Sequence, residues 1–319
     1  LLEDMRKIYS KKYVREYIAI SEKEEDYRAK RITAYLDMTQ SIVEEQFNKL
    51  VNEDWESNSD FKKYLDLLPQ NNELLDLLSK LETSSDSEKF QLKEELKSKL
   101  SIGDVDVNIM TKVDKINIDK AGNELPREYS DALSALRGFA QSKANGSVVF
   151  SAGMNPALYG YAEQFSEFYP NQFGEISKGI ILKVSDYRSA LIQGKYLAKK
   201  GLWVAEFRRE SGLNCGGHAF ATDGFLIGPI LEEFKNSRNE LFQTLFETCQ
   251  GALESKELTM LSSAPNFRIT YQGGIGTAVD DNSLREYSEL DVTGWGSPFL
   301  LVPKATSVDY DTLARLFQA

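Results

Sequence analysis

The sequence predicts an α/β fold, in which a (β/α) repeat with parallel strands follows an all-helical N-terminal region. Three observations lead to this prediction. Residues 1–102 contain no glycine and carry apolar side chains at helical spacing. After residue 102, glycines appear, and six short apolar segments alternate with six amphipathic ones. Short strands that alternate with helices form parallel sheets with helical crossovers.

Residues 1–102 are predicted to form a helical extension or insertion. An apolar stripe runs along its first part and comprises Ile8, Val14, Tyr17, Ile18, Ile32, Tyr35, Leu36, Ile42 and Val43. The segments NNELLDLLSKLE and EKFQLKEELKSKL predict two more helices, separated by a TSSDS turn. None of these segments carries a pattern typical of catalysis. We therefore expect a scaffold or docking arm that contacts a protein partner or a second copy of the chain.

Residues 103–319 are predicted to form the (β/α) domain. The strand candidates are 106–112, 146–154, 178–185, 201–208, 267–274 and 292–302. The helix candidates that follow them are 127–143, 155–169, 186–200, 224–253, 280–289 and 308–318. A doubly wound sheet and a (β/α) barrel both fit this alternation, and in either fold the C-terminal ends of the strands build the ligand site.

The composition argues against several classes of function. Asp and Glu outnumber Lys and Arg, 49 to 38, and the net charge of −11 is spread along the chain, which argues against a nucleic-acid surface or a polybasic membrane anchor. No apolar run approaches ~20 residues and the first ten residues are charged, so neither a membrane span nor a signal peptide is predicted. We expect a cytoplasmic protein that binds a small-molecule substrate. Because the chain begins at Leu1 rather than Met, we expect a fragment or a processed product.

Cysteine and histidine are scarce in this chain. The two cysteines, Cys215 and Cys249, form no CxxC motif, which argues against a disulfide framework or a structural zinc site. The one histidine, His218, directly follows Gly216 and Gly217. An imidazole suits a general base or an orienting hydrogen-bond donor, and the alternative is a loop residue that caps a helix. We expect Cys215 to be a small buried residue and Cys249 to pack within a helix.

Two glycine-rich segments lie at the ends of the last two predicted strands. The first contains Gly273, Gly274 and Gly276, and the second contains Gly296 and Ser297. Glycines let backbone N–H groups approach a phosphate closely, and barrels commonly bind phosphate after their last strands. Ordinary tight turns use the same residue types. We favour a phosphate site because the two segments follow adjacent strands.

Six short motifs follow one another between residues 104 and 305. DVNIM, VVFSAGMNP and KVSDYRSA come first, and then Gly216-Gly217-His218, Gly273-Gly274-Ile275 and Gly296-Ser297-Pro298-Phe299. In this order they resemble the strand ends of the nitronate monooxygenase (2-nitropropane dioxygenase) superfamily. That superfamily consists of flavin-dependent TIM barrels and includes the flavin-type enoyl-acyl-carrier reductases.

The resemblance implies a TIM-barrel-like fold and an FMN-dependent oxidoreductase that acts on a small acidic or enoyl substrate. His218 and Lys183 are the implied catalytic residues, His218 as a base and Lys183 as a cation beside the flavin N1–C2=O edge. Asn108 is implied to bond the ring or the substrate. The implied cofactor-binding glycines and serine are Gly216, Gly217, Gly273, Gly274, Gly276, Gly296 and Ser297.

The chain departs from this family at three places. The turn that leads to Gly216-Gly217-His218, RRESGLNC, is longer than the family's turn. The family's first two strands have no counterpart in the first hundred residues, so they precede Leu1 or the barrel is built differently. The Thr-Arg of the family's last strand is replaced by Ser297-Pro298. These departures keep a second function open, a non-catalytic barrel that acts as a scaffold through its helical arm.

A third function is a different phosphate-ligand barrel, such as an aldolase or isomerase, in which Lys183 forms a Schiff base. Arg208, Arg209 and Glu210 follow an apolar strand, where they either bind an anionic substrate or pair with one another. Trp295 is expected to pack. The residues expected to cap helices are Asp186, Asp280 and Asp281.

Overall fold

The structure is a computed structural model that describes residues 1–52, 59–66, 72–109, 114–151, 153–210, 227–263, 265–295 and 309–316. Contacts between residues divide the chain into two compact units. The first comprises residues 1–21, 31–105 and 142–144, and the second comprises residues 22–30, 106–141 and 145–319. The segment 22–30, which the sequence places in the helical region, therefore belongs to the second unit.

The first unit is built from helices. They are α1 (Leu2–Lys12), α2 (Tyr27–Val51, which starts in the second unit), α3 (Asp60–Asp66), α4 (Glu73–Thr83) and α5 (Asp86–Lys99). Apolar side chains of α3, α4 and α5 form a core that contains Phe61, Leu65, Leu74, Leu77, Leu96 and Leu100. Asn72 caps α4, and Ser85 with Glu88 forms a capping box at α5. The two helices predicted for this region are confirmed.

The apolar stripe predicted along the first helix is wrong at its start. Helix α1 ends at Lys12, and Val14 adopts a left-handed backbone with a φ of 52°. Ile8, Val14 and Ile18 are exposed. Residues 15–20 form no helix, so the apolar spacing there does not correspond to a helix face.

Polar contacts take the place of the predicted stripe. The Glu3 carboxylate accepts hydrogen bonds from Arg6 at 2.7 Å, from the Tyr17 hydroxyl at 2.9 Å and from the Ile20 N–H at 2.8 Å. Arg6 is itself 9% exposed. Hydrogen bonds to a buried charge are stronger than hydrogen bonds between neutral groups. This network therefore holds the segment after α1 against the helix.

The second unit is an α/β domain, and its described residues form a six-stranded sheet. Its strands are β1 (Val107–Ile109), β2 (Gly146–Phe150), β3 (Lys178–Val184), β4 (Glu206–Glu210), β5 (Arg268–Gln272) and β6 (Val292–Gly294). Its helices are α6 (Asp131–Ala140), α7 (Pro156–Ala162), α8 (Tyr187–Ala198), α9 (Ile227–Ser255), α10 (Ala278–Ser288) and α11 (Tyr310–Leu316). The five pairings between the described strands are all parallel, so the predicted α/β class is confirmed.

The strand order is β1-β2-β3-β4-β5-β6, without a reversal. A doubly wound sheet has a switch point at which the order reverses, and the described strands have none. Each described strand after β1 pairs with the strand that precedes it in the chain. A (β/α) barrel has the same sequential order.

The crossover helices pack on one face of this sheet. Phe150, Leu182 and Phe207 stand in register on that face. The ring centroid of Tyr159 in α7 lies 4.9 Å from that of Phe150, and a Cβ added to Gly194 of α8 would lie 3.1 Å from Phe207 Cζ. Right-handed crossovers between sequential neighbours place every helix on the same face, which explains this arrangement.

Contacts near both ends of the sheet agree with this placement. Lys178 Nζ, on the same face of β3, donates to the Phe139 carbonyl of α6 at 2.9 Å. The Thr293 hydroxyl of β6 donates to the Asp281 carboxylate of α10. Among the described helices, none combines the length and the apolar character needed to cross a bilayer.

The strand predicted at 201–208 begins later than expected. Residues 202–204 are buried but precede the ladder, which starts at Glu206. Gly201 turns the chain with a φ of 75°, and Trp203 Nε1 donates to the Asn266 carbonyl at 2.7 Å. Because this connection is buried, it is as apolar as a buried strand, and composition alone does not distinguish the two.

The expectations about single residues of this unit have mixed outcomes. Asp186 caps α8, and Asp280 forms a capping box with Thr277 at α10, both as expected. The expectation that Asp281 caps a helix is wrong, since this residue lies in the first turn of α10 and accepts from β6. Cys249 is buried within α9, as expected.

Candidate functional site

Polar side chains line the sheet face opposite the crossover helices. Phe207 of β4 points to the helices, and successive side chains of a strand point to opposite faces, so its two neighbours point away. Strand β5 continues the same alternation in register, and Lys183 of β3 stands in register with Arg208. We call this surface the polar face, defined by Lys183, Glu206, Arg208, Glu210, Arg268, Thr270 and Gln272.

Glu206 lies at the centre of a charged cluster near the N-terminal ends of β4 and β5. Its side chain is 4% exposed and accepts hydrogen bonds from Arg208 Nε and Thr270 Oγ1, each at 2.7 Å. Arg268 Nη2 lies 3.3 Å from the same carboxylate, and Arg208 Nη2 lies 3.4 Å from Asp106. A buried carboxylate is costly unless it is paired and hydrogen-bonded, and these partners meet that requirement. The partners in this Glu206 cluster therefore offset the cost of burying its charge.

Lys183 and Glu210 form a separate ion pair at the C-terminal edge of the sheet. Lys183 Nζ lies 3.0 Å from Glu210 Oε2, and the two side chains are 14% and 10% exposed. Lys183 is the next-to-last residue of β3, and Glu210 is the last residue of β4. Parallel α/β folds bind ligands at this edge, so the pair lies where a ligand site is expected.

Gln272 continues this edge on β5, in register with Glu210 and Gly294. A Cβ added to Gly294 would lie 2.5 Å from Gln272 Cγ and 2.9 Å from its Nε2. The Gln272 side chain therefore lies across β6, in the space that glycine leaves. Three neighbouring strands thus bring a cation, a carboxylate and an amide to one edge of the polar face.

The turn after β5 needs glycine at two positions. Gly273 has a φ of 83° and Gly274 a φ of 68°, a backbone region that residues with a Cβ adopt only at a cost. The Gly273 N–H donates to the Gly294 carbonyl at 2.9 Å. Within the part of the chain that the structure describes, no hydrogen bond involves the Gly274 N–H. Of the two amides, Gly274 is the one available to an anion.

Gly276 is less suited to bind a phosphate. Its N–H donates to Asp280 Oδ2 at 3.2 Å, and Thr277 donates to the same oxygen with its N–H and its hydroxyl, each at 2.9 Å. The Thr277 hydrogen bonds, and then that of Gly276, hold the pKa of the Asp280 carboxyl below its usual range. An ionised carboxylate at this amide competes with a phosphate and repels it.

The remaining predicted site residues lie elsewhere or outside the described residues. Asn108 is exposed in the middle of β1, and the ladder aligns it with Val149, Ile181 and Glu206 rather than with Lys183. The predictions that concern Cys215, Gly216, Gly217, His218, Gly296 and Ser297 all fall on residues outside the described ranges.

The sequence leaves two roles open for Arg208, Arg209 and Glu210, namely binding of an anionic substrate or pairing with one another. Arg208 pairs with Glu206, Glu210 pairs with Lys183, and Arg209 Nη1 donates to the Glu210 carbonyl. Within the described residues these groups therefore pair with protein groups. Trp295 is 38% exposed, and its Nε1 lies 3.4 Å from Asp281 Oδ1.

Sequence reasoning missed most of the polar face. The missed residues are Glu206, Arg268, Thr270 and Gln272. The segments EFRRE and RITYQ do carry a signal, since polar residues occupy every second position. Parallel strands that are covered on both faces usually have continuous apolar sequences. The alternation in these two strands therefore indicates that one face of the sheet carries polar side chains.

Comparison with known proteins found no match among family models, curated proteins or solved structures. Among the described residues, no group of three or more His, Cys, Asp or Glu side chains is arranged to hold a metal ion. The chemistry of this site is therefore inferred from the polar face and from the sequence motifs.

Proposed function

We propose that this chain is an FMN-dependent oxidoreductase that acts on a small acidic or enoyl substrate. The observation that carries the proposal is the position of Lys183, a nearly buried cation at the C-terminal edge of the polar face. A cation at this edge can bond the C2=O side of a flavin and stabilise negative charge on the reduced ring. The resemblance to the nitronate monooxygenase superfamily supports the same role.

The proposal includes a TIM-barrel-like fold. Sequential parallel strands with every crossover on one face support it, because a barrel is wound in this way. In a closed barrel the polar face would be the interior, which is filled by side chains in layers. The cross-strand neighbours of β4 and β5 on this face occupy three successive levels, as such layers would: Glu206 beside Arg268, Arg208 beside Thr270 and Glu210 beside Gln272.

The described residues fit FMN at two places. Lys183 would face the ring, and the Gly274 N–H, in a turn with two left-handed glycines, would bond the phosphate. A bound FMN would supply the electron transfer, while the protein binds the ring and positions the substrate proton. His218 remains the predicted base for that proton.

A second candidate function is a non-catalytic scaffold, and one observation favours it. The Gly276 N–H and the Thr277 N–H both bind Asp280, which places a carboxylate where the phosphate is predicted. In a protein that no longer binds a phosphate, these backbone N–H groups would instead donate hydrogen bonds to a side chain of the protein. The two functions differ in whether the protein binds flavin.

The test is a visible absorption spectrum of the purified chain, before and after FMN is added. The two visible bands of a bound oxidised flavin support the oxidoreductase proposal. Lys183→Met is expected to weaken FMN binding about tenfold or more, because it removes a charge-assisted hydrogen bond. Lys199→Met, at the exposed C-terminal end of α8, is the matched control and leaves FMN binding unchanged. A colourless chain that also fails to bind FMN contradicts the proposal and favours the scaffold.

A further inference from the structure

Lys183 and Glu210 present a hydrogen-bond donor and an acceptor side by side. Their charged atoms are 3.0 Å apart, and both side chains extend from strands rather than from loops. An ammonium donates three hydrogen bonds and a carboxylate accepts about four. Each group can therefore bond a ligand while the ion pair persists.

This spacing selects a particular ligand edge. A carbonyl next to an N–H in a planar ring offers one acceptor and one donor at a matching separation. The carbonyl oxygen accepts from the ammonium, and the neighbouring N–H donates to the carboxylate. A phosphate, carboxylate or nitro group offers acceptors only, and the carboxylate of the pair repels it. The pair thus favours an amide or imide edge over a simple anion.

The pyrimidine ring of a flavin carries such an edge at C2=O and N3–H. On the basis of the function proposed above, we propose that Glu210 is a specificity-determining residue for the flavin ring. Glu210 accepts the N3–H hydrogen bond while Lys183 donates to the C2 oxygen. No covalent or redox step is involved, since both groups act by hydrogen bonding.

The other carboxylate on the polar face is placed differently along its strand. Glu206 is 4% exposed and contacts Arg208, Thr270 and Arg268. It also lies at the N-terminal end of β4, whereas ligands of parallel α/β folds bind at the C-terminal end. Glu210 is therefore the carboxylate placed to accept a hydrogen bond from the flavin ring.

The experiment compares FMN with 3-methyl-FMN, in which a methyl group replaces the N3 hydrogen. Binding of each is measured by titration of flavin fluorescence with the full chain. We expect the chain to bind FMN about 10- to 100-fold more tightly than the methylated analogue, as for a hydrogen bond to a charged group. In Glu210→Met, which keeps the bulk and removes the acceptor, the preference falls to about threefold or less. Glu254→Met, at an exposed position of α9, is the matched control and keeps the full preference.

The outcomes separate the two proposals. Equal binding of FMN and 3-methyl-FMN to the unmodified chain overturns the role of Glu210 and leaves the flavoprotein proposal standing. A preference that Glu210→Met retains also overturns it, provided that the circular dichroism of the variant matches that of the unmodified chain. Failure to bind either flavin overturns both proposals. Because the first comparison uses the unmodified chain, it does not depend on the folding of a variant.

Discussion

Arg137 of α6 and Asp26 form a bidentate ion pair, although they are 111 residues apart in the chain. Arg137 Nε donates to Asp26 Oδ2 at 2.7 Å, and Nη2 donates to Oδ1. Nη1 donates to the Glu128 carbonyl at 2.8 Å and to the Tyr161 hydroxyl at 2.6 Å. Burial lowers the pKa of Arg137, but the hydrogen bonds with Asp26 and Tyr161 outweigh burial and raise it. The pair attaches residues 22–30 to the unit that contains the sheet.

Asp26→Asn is expected to lower the free energy of unfolding by about 2 kcal/mol, because it leaves a largely buried guanidinium without its counter-ion. Asparagine tolerates the left-handed φ of 53° at this position, so the change tests the charge rather than the backbone. Urea denaturation measures the effect. The control is Glu24→Gln, whose carboxylate is 43% exposed and 3.7 Å from Lys30, and which should cost less than about 0.5 kcal/mol. Equal effects of the two substitutions would contradict the assignment.

Glu163 binds two lysines, and its contribution should depend on pH. Lys200 and Lys256 both donate to its carboxylate, the latter at 2.9 Å. Burial raises the pKa of Glu163, but the hydrogen bonds from Lys200 and Lys256 lower it by more. Because the folded-state pKa lies below the unfolded value, the contacts stabilise the fold above that value. This stabilisation is lost as the pH falls through the folded-state pKa.

Glu163→Gln should therefore lower the free energy of unfolding by about 1 kcal/mol at pH 7. The difference from the unmodified chain should shrink below about pH 4, near the ordinary pKa of glutamate. Urea denaturation at pH 7 and at pH 3 measures it, with Glu175→Gln as the exposed control. If the difference in free energy of unfolding is the same at both pH values, ionisation of Glu163 does not contribute to stability.

The turn after β5 allows a matched comparison of two glycines. Gly274→Ala should cost about 1 kcal/mol, because alanine is strained at a φ of 68°. Gly276 has no such φ, and an added Cβ would lie 3.7 Å from Asp280 Oδ2, an ordinary contact. Gly276→Ala should change the stability by less than about 0.5 kcal/mol. Thermal unfolding of both variants measures the difference, and equal costs would contradict the left-handed turn.

A second glycine pair tests the packing of α8 on the sheet. A Cβ at Gly194 would lie 3.0 Å from Leu245 Cδ1 and 3.1 Å from Phe207 Cζ, so Gly194→Ala should cost about 1–2 kcal/mol through overpacking. Apart from its chain neighbours and the adjoining helix backbone, no atom of the described residues lies within 4 Å of a Cβ added to Gly251 of α9, so Gly251→Ala should stabilise by about 0.5–1 kcal/mol through helix propensity. Urea denaturation of the two variants should show opposite signs. A stabilising Gly194→Ala would mean that α8 lies farther from the sheet.

The sequence alone predicts the six parallel strands well, because alternation of short apolar segments with amphipathic helices has few other solutions. Its failures have physical causes. Val14 and Ile18 have helical spacing, but hydrogen bonds to Glu3 outweigh that pattern. The connection 202–204 is predicted as part of a strand because its residues are apolar. An apolar composition indicates that a segment is buried, but it does not indicate whether the segment hydrogen-bonds in a sheet.

The polar face is harder to predict, since it depends on strand register. Lys183 and Glu210 are neighbours only because Lys183 pairs with Arg208, which places Glu210 two residues farther along the adjacent strand. A shift of one residue would turn Glu210 to the helices. The sequence can therefore indicate Lys183 as a site residue without identifying its counter-ion.

The sequential strand order has a consequence for how the second unit assembles during synthesis. Every described strand after β1 pairs with the strand immediately before it in the chain, so each of these strands finds a neighbour already made when it leaves the ribosome. A sheet with a switch point instead keeps an early strand edge open until a late strand arrives. The longest gap between partners separates β4 from β5, across the 29-residue α9, so closing this loop carries the largest entropic cost. The sheet can thus grow in one direction as the chain is made, and the pairing of β5 with β4 closes its longest loop.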